Sequence, residues 1–294
     1  MYSAIAANKR NTVLVMFLFV VIIGGIGALV AWVFEDWWIA VGVLVASSVY
    51  ALVQYFVATR VMMAMTGARV IDRNDNPRLY NIVENLAISE GLPMPEVCVI
   101  NDPAPNAFAM GKNPESAKVG ATTGLLDIMD DEELRAVMAH EMAHVKNYDI
   151  RVSMVVFGLT CLVGMLSWMV GRMLMGGGNR RSGNGNGGAI LIVIGLAVMI
   201  LSPIFAMMVQ MAVSRRREYL ADASAAMMTR YPEGMKSALA KLQSYGKPMK
   251  QQNSATEAMF ISSPLKKGFV SGLFSTHPPI EQRIERLAEM KGRF

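Results

Sequence analysis

The chain has 294 residues, of which 53% are hydrophobic and 17% charged, and its mean hydropathy is +0.35. That balance excludes an ordinary soluble domain and places part of the chain in a lipid bilayer. A formal net charge of +5 does not indicate nucleic acid, because the basic residues gather at the ends of apolar runs, where they act as topology signals.

Residues 1–10 form a short N-terminal extension expected on the cytosolic side. Lys9 and Arg10 precede an uncharged run over 11–34, long enough to cross a hydrocarbon core of roughly 30 Å as a helix. A cleaved signal peptide fits poorly: the run is too long, lacks a small-x-small cleavage site, and is followed at once by a second span. Glu35 and Asp36 make an acidic turn, and residues 37–59 form the second span, with aromatic residues at its ends. Arg60, Arg69 and Arg73 follow, so both ends of this hairpin (11–59) are expected in the cytoplasm.

Residues 60–151 turn soluble in composition. Pro77 to Glu90 predicts an amphipathic helix through Leu79, Ile82, Val83 and Leu86, stopped by Gly91 and Pro93. Short strands are predicted at Glu96–Ile100, Asn106–Ala109 and Lys118–Thr122, giving a small β-sheet. Asp130 and Glu133 form a capping box that starts the next helix, with Leu134, Val137, Met138 and Val145 as its packing stripe. That helix carries His140, Glu141 and His144, in a chain with three histidines. Residues i and i+4 share one helix face, so both imidazoles can reach one metal, and in the H-E-x-x-H pattern the glutamate is the general base. The bland reading, two packing histidines that bind nothing, leaves their alignment without a reason.

Residues 152–213 form a second apolar hairpin, with spans at about 152–171 and 189–213 joined by a glycine-rich loop over 176–188. Buried core helices are the rival reading of these two runs. Arg215 to Arg217 again suggest a cytoplasmic end. Residues 214–294 complete the soluble domain, with helices predicted at Glu218–Met228, Gly234–Tyr245 and Ile280–Met290. Cys98 and Cys161 fall in cytosol and bilayer respectively, so a disulfide framework is not expected.

A catalytic zinc usually has three protein ligands. Asn147 and Ile150 stand where a metzincin would place Gly and His, so the third ligand must come from elsewhere. Glu218 is the favoured candidate, although it could instead pair with Arg215 or Arg217, and His277 is a rival held in a rigid turn by Pro278 and Pro279. Asp222, one turn after Glu218, is suited to accept a hydrogen bond from a ligating histidine.

The combination of His140-Glu141-x-x-His144, Glu218-x-x-x-Asp222, Asn106-Ala107-Phe108-Ala109 and Thr276-His277-Pro278-Pro279 with Arg283 resembles the HtpX family of bacterial membrane-bound zinc metalloproteases, relatives of the eukaryotic CAAX prenyl proteases. The resemblance implies a mainly helical α+β fold, with four transmembrane helices and a cytosolic zincin-like (gluzincin) domain. It implies one Zn²⁺ held by His140, His144 and Glu218, with Glu141 catalytic. It also implies cleavage of misfolded or damaged membrane proteins on the cytoplasmic side of the bacterial cytoplasmic membrane. His277 or Arg283 is then the expected oxyanion donor, and the strand near Asn106–Ala109, with Asn106, Ala107 and Phe108, or the one at Lys118–Thr122 is expected to align an extended substrate. Two alternatives predict different sites. An intramembrane protease conflicts with the charges from Asp130 to Asp149, and a membrane scaffold with structural zinc would need a closed four-ligand site.

Overall fold

The computed structural model describes residues 2–176, 195, 215–245, 248–250, 256, 259–262 and 277–290. Helices α1 (Tyr2–Phe34) and α2 (Trp37–Thr66) form an antiparallel hairpin, joined where Asp36 caps α2 by accepting from the Trp38 amide at 2.9 Å. Gly27 permits a close crossing: a Cβ there would lie 2.7 Å from Val43 Cβ. Both helices are long and apolar enough to cross a membrane, over Ile5–Trp32 and Trp37–Thr66, and bulky side chains such as Phe17, Leu52 and Phe56 face outward from them. Helix α1 starts at Tyr2, so the extension expected before the first span is a continuation of the same helix. The third apolar run lies on α6 (Asp149–Gly176). The fourth run and the glycine-rich loop lie outside the described residues, except for Gly176 and Gly195.

Between the two apolar regions the chain forms β1 (Arg69–Val70), α3 (Pro77–Glu90), β2 (Glu96–Ile100), β3 (Ala107–Met110), a 3-10 turn at Pro114–Ser116, β4 (Lys118–Thr122), α4 (Thr123–Ile128) and α5 (Asp131–Lys146). Helix α3 keeps its expected bounds because each end has a partner: the Asn76 side chain accepts from Leu79 N, and Gly91 closes it in the left-handed region at φ 62. The sheet order is β1-β2-β4-β3. Strand β2 runs parallel to β4, from Glu96 opposite Lys118 to Ile100 opposite Thr122, and β3 pairs antiparallel on the far side of β4 as an edge strand. Gly120 is required where β4 passes β2, since a Cβ there would lie 2.3 Å from Cys98 O and 2.7 Å from the Phe108 ring.

The second part contributes α7 (Arg215–Thr229), α8 (Pro232–Tyr245) and α9 (Ile280–Ala288). Helix α5 is the centre of the domain. A single packing stripe is expected for it, yet Leu134, Ala136, Val137, Met138, Ala139, Met142 and Ala143 are all fully buried, because the sheet and α3 cover one side and α7 and α8 the other. The alanines make this possible by letting α7 approach its backbone. The capping box forms as expected: Asp130 accepts from Glu133 N at 2.9 Å, and Glu133 accepts from Asp130 N at 2.9 Å. Glu133 also takes hydrogen bonds from Ser237 and Lys241, both at 2.6 Å, which tie α8 to the start of α5.

Candidate metal centre

The one-turn spacing on α5 brings the His140 and His144 Nε2 atoms to 3.2 Å, with the rings edge to face at 88°. Helix α7 crosses α5 so that Glu218 faces both, its Oε1 3.5 Å from His144 Nε2 and its Oε2 3.8 Å from His140 Nε2. Arg217 Nε lies 3.6 Å from Asp149 Oδ1. The other ring nitrogens are also engaged. His140 Nδ1 is 2.9 Å from Asp222 Oδ1, and His144 Nδ1 is 3.0 Å from Asp149 Oδ2. An ionised carboxylate only accepts, so each Nδ1 carries a proton, which leaves Nε2 as the nitrogen through which each ring would bind a metal.

Two imidazole nitrogens and a carboxylate therefore converge on one point, the donor set of a metal site. Zn–N bonds of about 2.0–2.1 Å in a tetrahedron set ligand atoms roughly 3.3 Å apart. The 3.2 Å between the two Nε2 atoms fits that size, and with one carboxylate oxygen of Glu218 the three donor atoms lie within 4.8 Å of one another.

Glu141 lies on the same turn and is buried. Burial pushes its carboxyl up to about 8, with His144 opposing and Glu218 adding to the rise. Burial would also raise Glu218, but His277, His144 and Arg283 outweigh it and hold that carboxylate well below its ordinary range. A cleft opens here, lined by Ala109, His140, Glu141, His144, Ser153, Phe260 and His277 among others.

His277 sits beside Glu218, with Nδ1 3.0 Å from Oε2. Arg283, expected as a possible oxyanion donor, does not line the cleft but reaches the candidate ligands, with Nη1 3.7 Å from Glu218 Oε2 and Nη2 3.5 Å from His140 Nε2. Its side chain is wholly buried and grips Asp222 through Nε at 2.8 Å and Nη2 at 2.7 Å. The expected substrate strand is divided. Ala109 lines the cleft, but Asn106 binds Ser262 O at 2.9 Å, Ala107 O accepts from Ile261 N at 3.0 Å, and the Phe108 ring packs edge to face on Phe260. The chain's own Phe260–Ser262 segment thus takes up edge groups that an outer strand leaves unpaired.

Asp149 is a residue that motif reading does not single out. It stands five places after His144, and Tyr148 between them takes the left-handed region at φ 61, which ends α5 and turns Asp149 back beneath the His144 ring.

Residues 73–291 match the model of Peptidase family M48. A protein described as Protease HtpX homolog from Tropheryma whipplei (strain Twist) is 55% identical over 294 residues, with 100% of both chains covered. Proteins of the same description are 46% identical in Limosilactobacillus fermentum and 44% identical in Streptococcus pneumoniae (strain Hungary19A-6), each covering 99% of this chain and 100% of the relative. Among solved structures, the crystal structure of S. mikatae Ste24p shares the fold with a TM-score of 0.51 at 19% identity, over 93% of this chain and 61% of that one. The expected family resemblance therefore holds, and the convergence of His140, His144 and Glu218 on one point has its counterpart in ancestry: the chain belongs to Peptidase family M48 and is a metalloprotease.

Proposed function

We propose that the protein is an integral membrane zinc endopeptidase, holding one Zn²⁺ per subunit, that cleaves misfolded or damaged membrane proteins at the cytoplasmic face of the bacterial cytoplasmic membrane. The observation that carries this reading is the pair of Nε2 atoms 3.2 Å apart, facing Glu218, with both Nδ1 atoms committed to carboxylates. His140, His144 and Glu218 would hold the ion. Bound zinc supplies a Lewis acid that polarises the scissile carbonyl and favours ionisation of water.

The chain's own groups do the rest. Glu141, whose carboxyl is raised to about 8, is suited both to take a proton from water and to return it to the leaving amine nitrogen. Asp222 and Asp149 hold the two imidazoles in the tautomer that leaves Nε2 available. Arg283 steadies Asp222, and His277, which lines the cleft, is the donor for the developing oxyanion. An extended substrate would pair with β3 at Ala109, beyond the edge held by Phe260–Ser262.

Four spans are the topology that suits this site. The start of α6 at Asp149 and the start of α7 at Arg215 both adjoin the centre, so the two later apolar runs must leave and return on one side. Lys9, Arg10 and Arg60 at the same end of the first hairpin support a cytoplasmic orientation, which puts the cleft next to substrates emerging from the bilayer. The test uses protein purified in detergent without metal. Casein cleavage should require added zinc in the wild type and be lost in Glu141→Gln, which still binds zinc. A Glu141→Gln variant that cleaves at near the wild-type rate would overturn the mechanism.

A further inference from the structure

Asn8 sits in the first turns of α1, before the apolar run, yet it is 3% exposed and its side chain points into the catalytic domain. Its Nδ2 donates to Asp149 Oδ1 at 2.6 Å and to Asn147 O at 2.9 Å. The other oxygen of Asp149 holds His144 Nδ1 at 3.0 Å. The neighbouring contacts confirm that α1 is seated on this turn: Lys9 Nζ lies 4.6 Å from the centre of the Tyr148 ring, Arg151 packs on the same ring at 4.9 Å, and Arg217 reaches Asn8 Oδ1 at 3.4 Å.

A carboxylate that orients a metal-binding imidazole must itself be held, or it rotates and releases the ring. Asp149 cannot be held by α5, because the left-handed Tyr148 has ended that helix. Two groups reach its second oxygen, the Arg217 guanidinium with Nε at 3.6 Å and, as the close hydrogen-bond donor at 2.6 Å, Asn8 Nδ2 from 141 positions earlier in the chain. We infer that Asn8 is a positioning residue for the metal centre: it locks Asp149, which locks His144, so that the ligand set is complete only when the N-terminal end of α1 is docked on the α5–α6 turn. This rests on the reading of His144 as a zinc ligand.

The experiment measures zinc affinity of the full chain in detergent, at pH 8, by competition with a chromophoric chelator. Asn8→Leu removes the donor, and Asn8→Asp keeps the shape but cannot donate when ionised. Both should weaken zinc about tenfold, the lower end of the effect of losing a group that orients a ligand. Thr12→Val, whose hydroxyl among the described residues bonds only the α1 carbonyl of Asn8 at 2.9 Å, should stay within about twofold of wild type. Asp149→Asn should weaken zinc as well, and adding Asn8→Leu to it should cost nothing more, since the two act through one chain of contacts. Wild-type affinity in both Asn8 variants, or an undiminished Asn8→Leu effect in the Asp149→Asn background, would overturn the inference. His144→Ala separates this from the underlying reading: if that variant binds zinc as tightly as wild type, the ligand assignment itself has failed.

Discussion

Arg283 and Asp222 form a buried bidentate pair, with Nε and Nη2 of the guanidinium 2.8 and 2.7 Å from the two carboxylate oxygens, directly behind His140. Burial opposes the charge on Asp222, but Arg283 and His140 more than offset it and hold the carboxyl down to about 2. Removing one partner of such a pair leaves an uncompensated charge in the interior, at a cost of about 3–5 kcal/mol. Arg283→Met should therefore destabilise the catalytic domain by about that amount in denaturant unfolding. A change below about 1 kcal/mol would show that Asp222 finds water or another partner.

His277 and Glu218 touch each other at 3.0 Å but are expected to separate by readout. Glu218→Ala should leave the protein with little zinc after dialysis. His277→Ala should keep zinc at one equivalent and lower kcat by roughly 10²–10³, the effect of losing one oxyanion donor. Metal analysis alongside single-turnover kinetics checks both. Loss of zinc in His277→Ala would place that residue among the ligand-holding groups instead.

Gly120→Ala tests the sheet. Its methyl would lie 2.3 Å from Cys98 O, which is backbone in a paired strand and cannot rotate away. The expected loss is about 3 kcal/mol or more, with lower yield of folded protein. Normal stability of the variant would contradict the parallel β2–β4 register.

Cys98 is fully buried in β2, and burial pushes its thiol up to about 12 from an ordinary value of 9.0. The thiolate is the reactive form, so at pH 8 that shift alone slows alkylation roughly a thousandfold. In a Cys161→Ala background, iodoacetamide should leave the folded protein unlabelled and label it fully in denaturant. Rapid labelling of the folded form would mean that β2 is exposed.

Legibility in the sequence followed the range of the interaction. His140, Glu141 and His144 are read from spacing because a helix fixes i and i+4 on one face whatever surrounds it. The bounds of α3, β2 and β4, and the capping box of α5, are local in the same sense. The near-complete burial of α5 escaped its single apolar stripe, because alanine reads as neutral in a pattern and becomes core only when a neighbour closes on it.

By itself, then, the sequence determined the two apolar helices of the hairpin, the metal-binding pattern and the small sheet that accompanies it, since each rests on contacts a few residues apart or on the need to bury apolar surface. Tertiary structure alone decided which group stands behind which ligand. Asp222 is readable from its one-turn spacing after Glu218 as a partner for a ligating histidine, but the fold chose His140 for it, put Arg283 on Asp222 and Asp149 on His144, and brought Asn8 across 141 positions to hold the last. These are buried polar bonds between distant segments, and their partners are set by how helices cross, which no periodicity along the chain records.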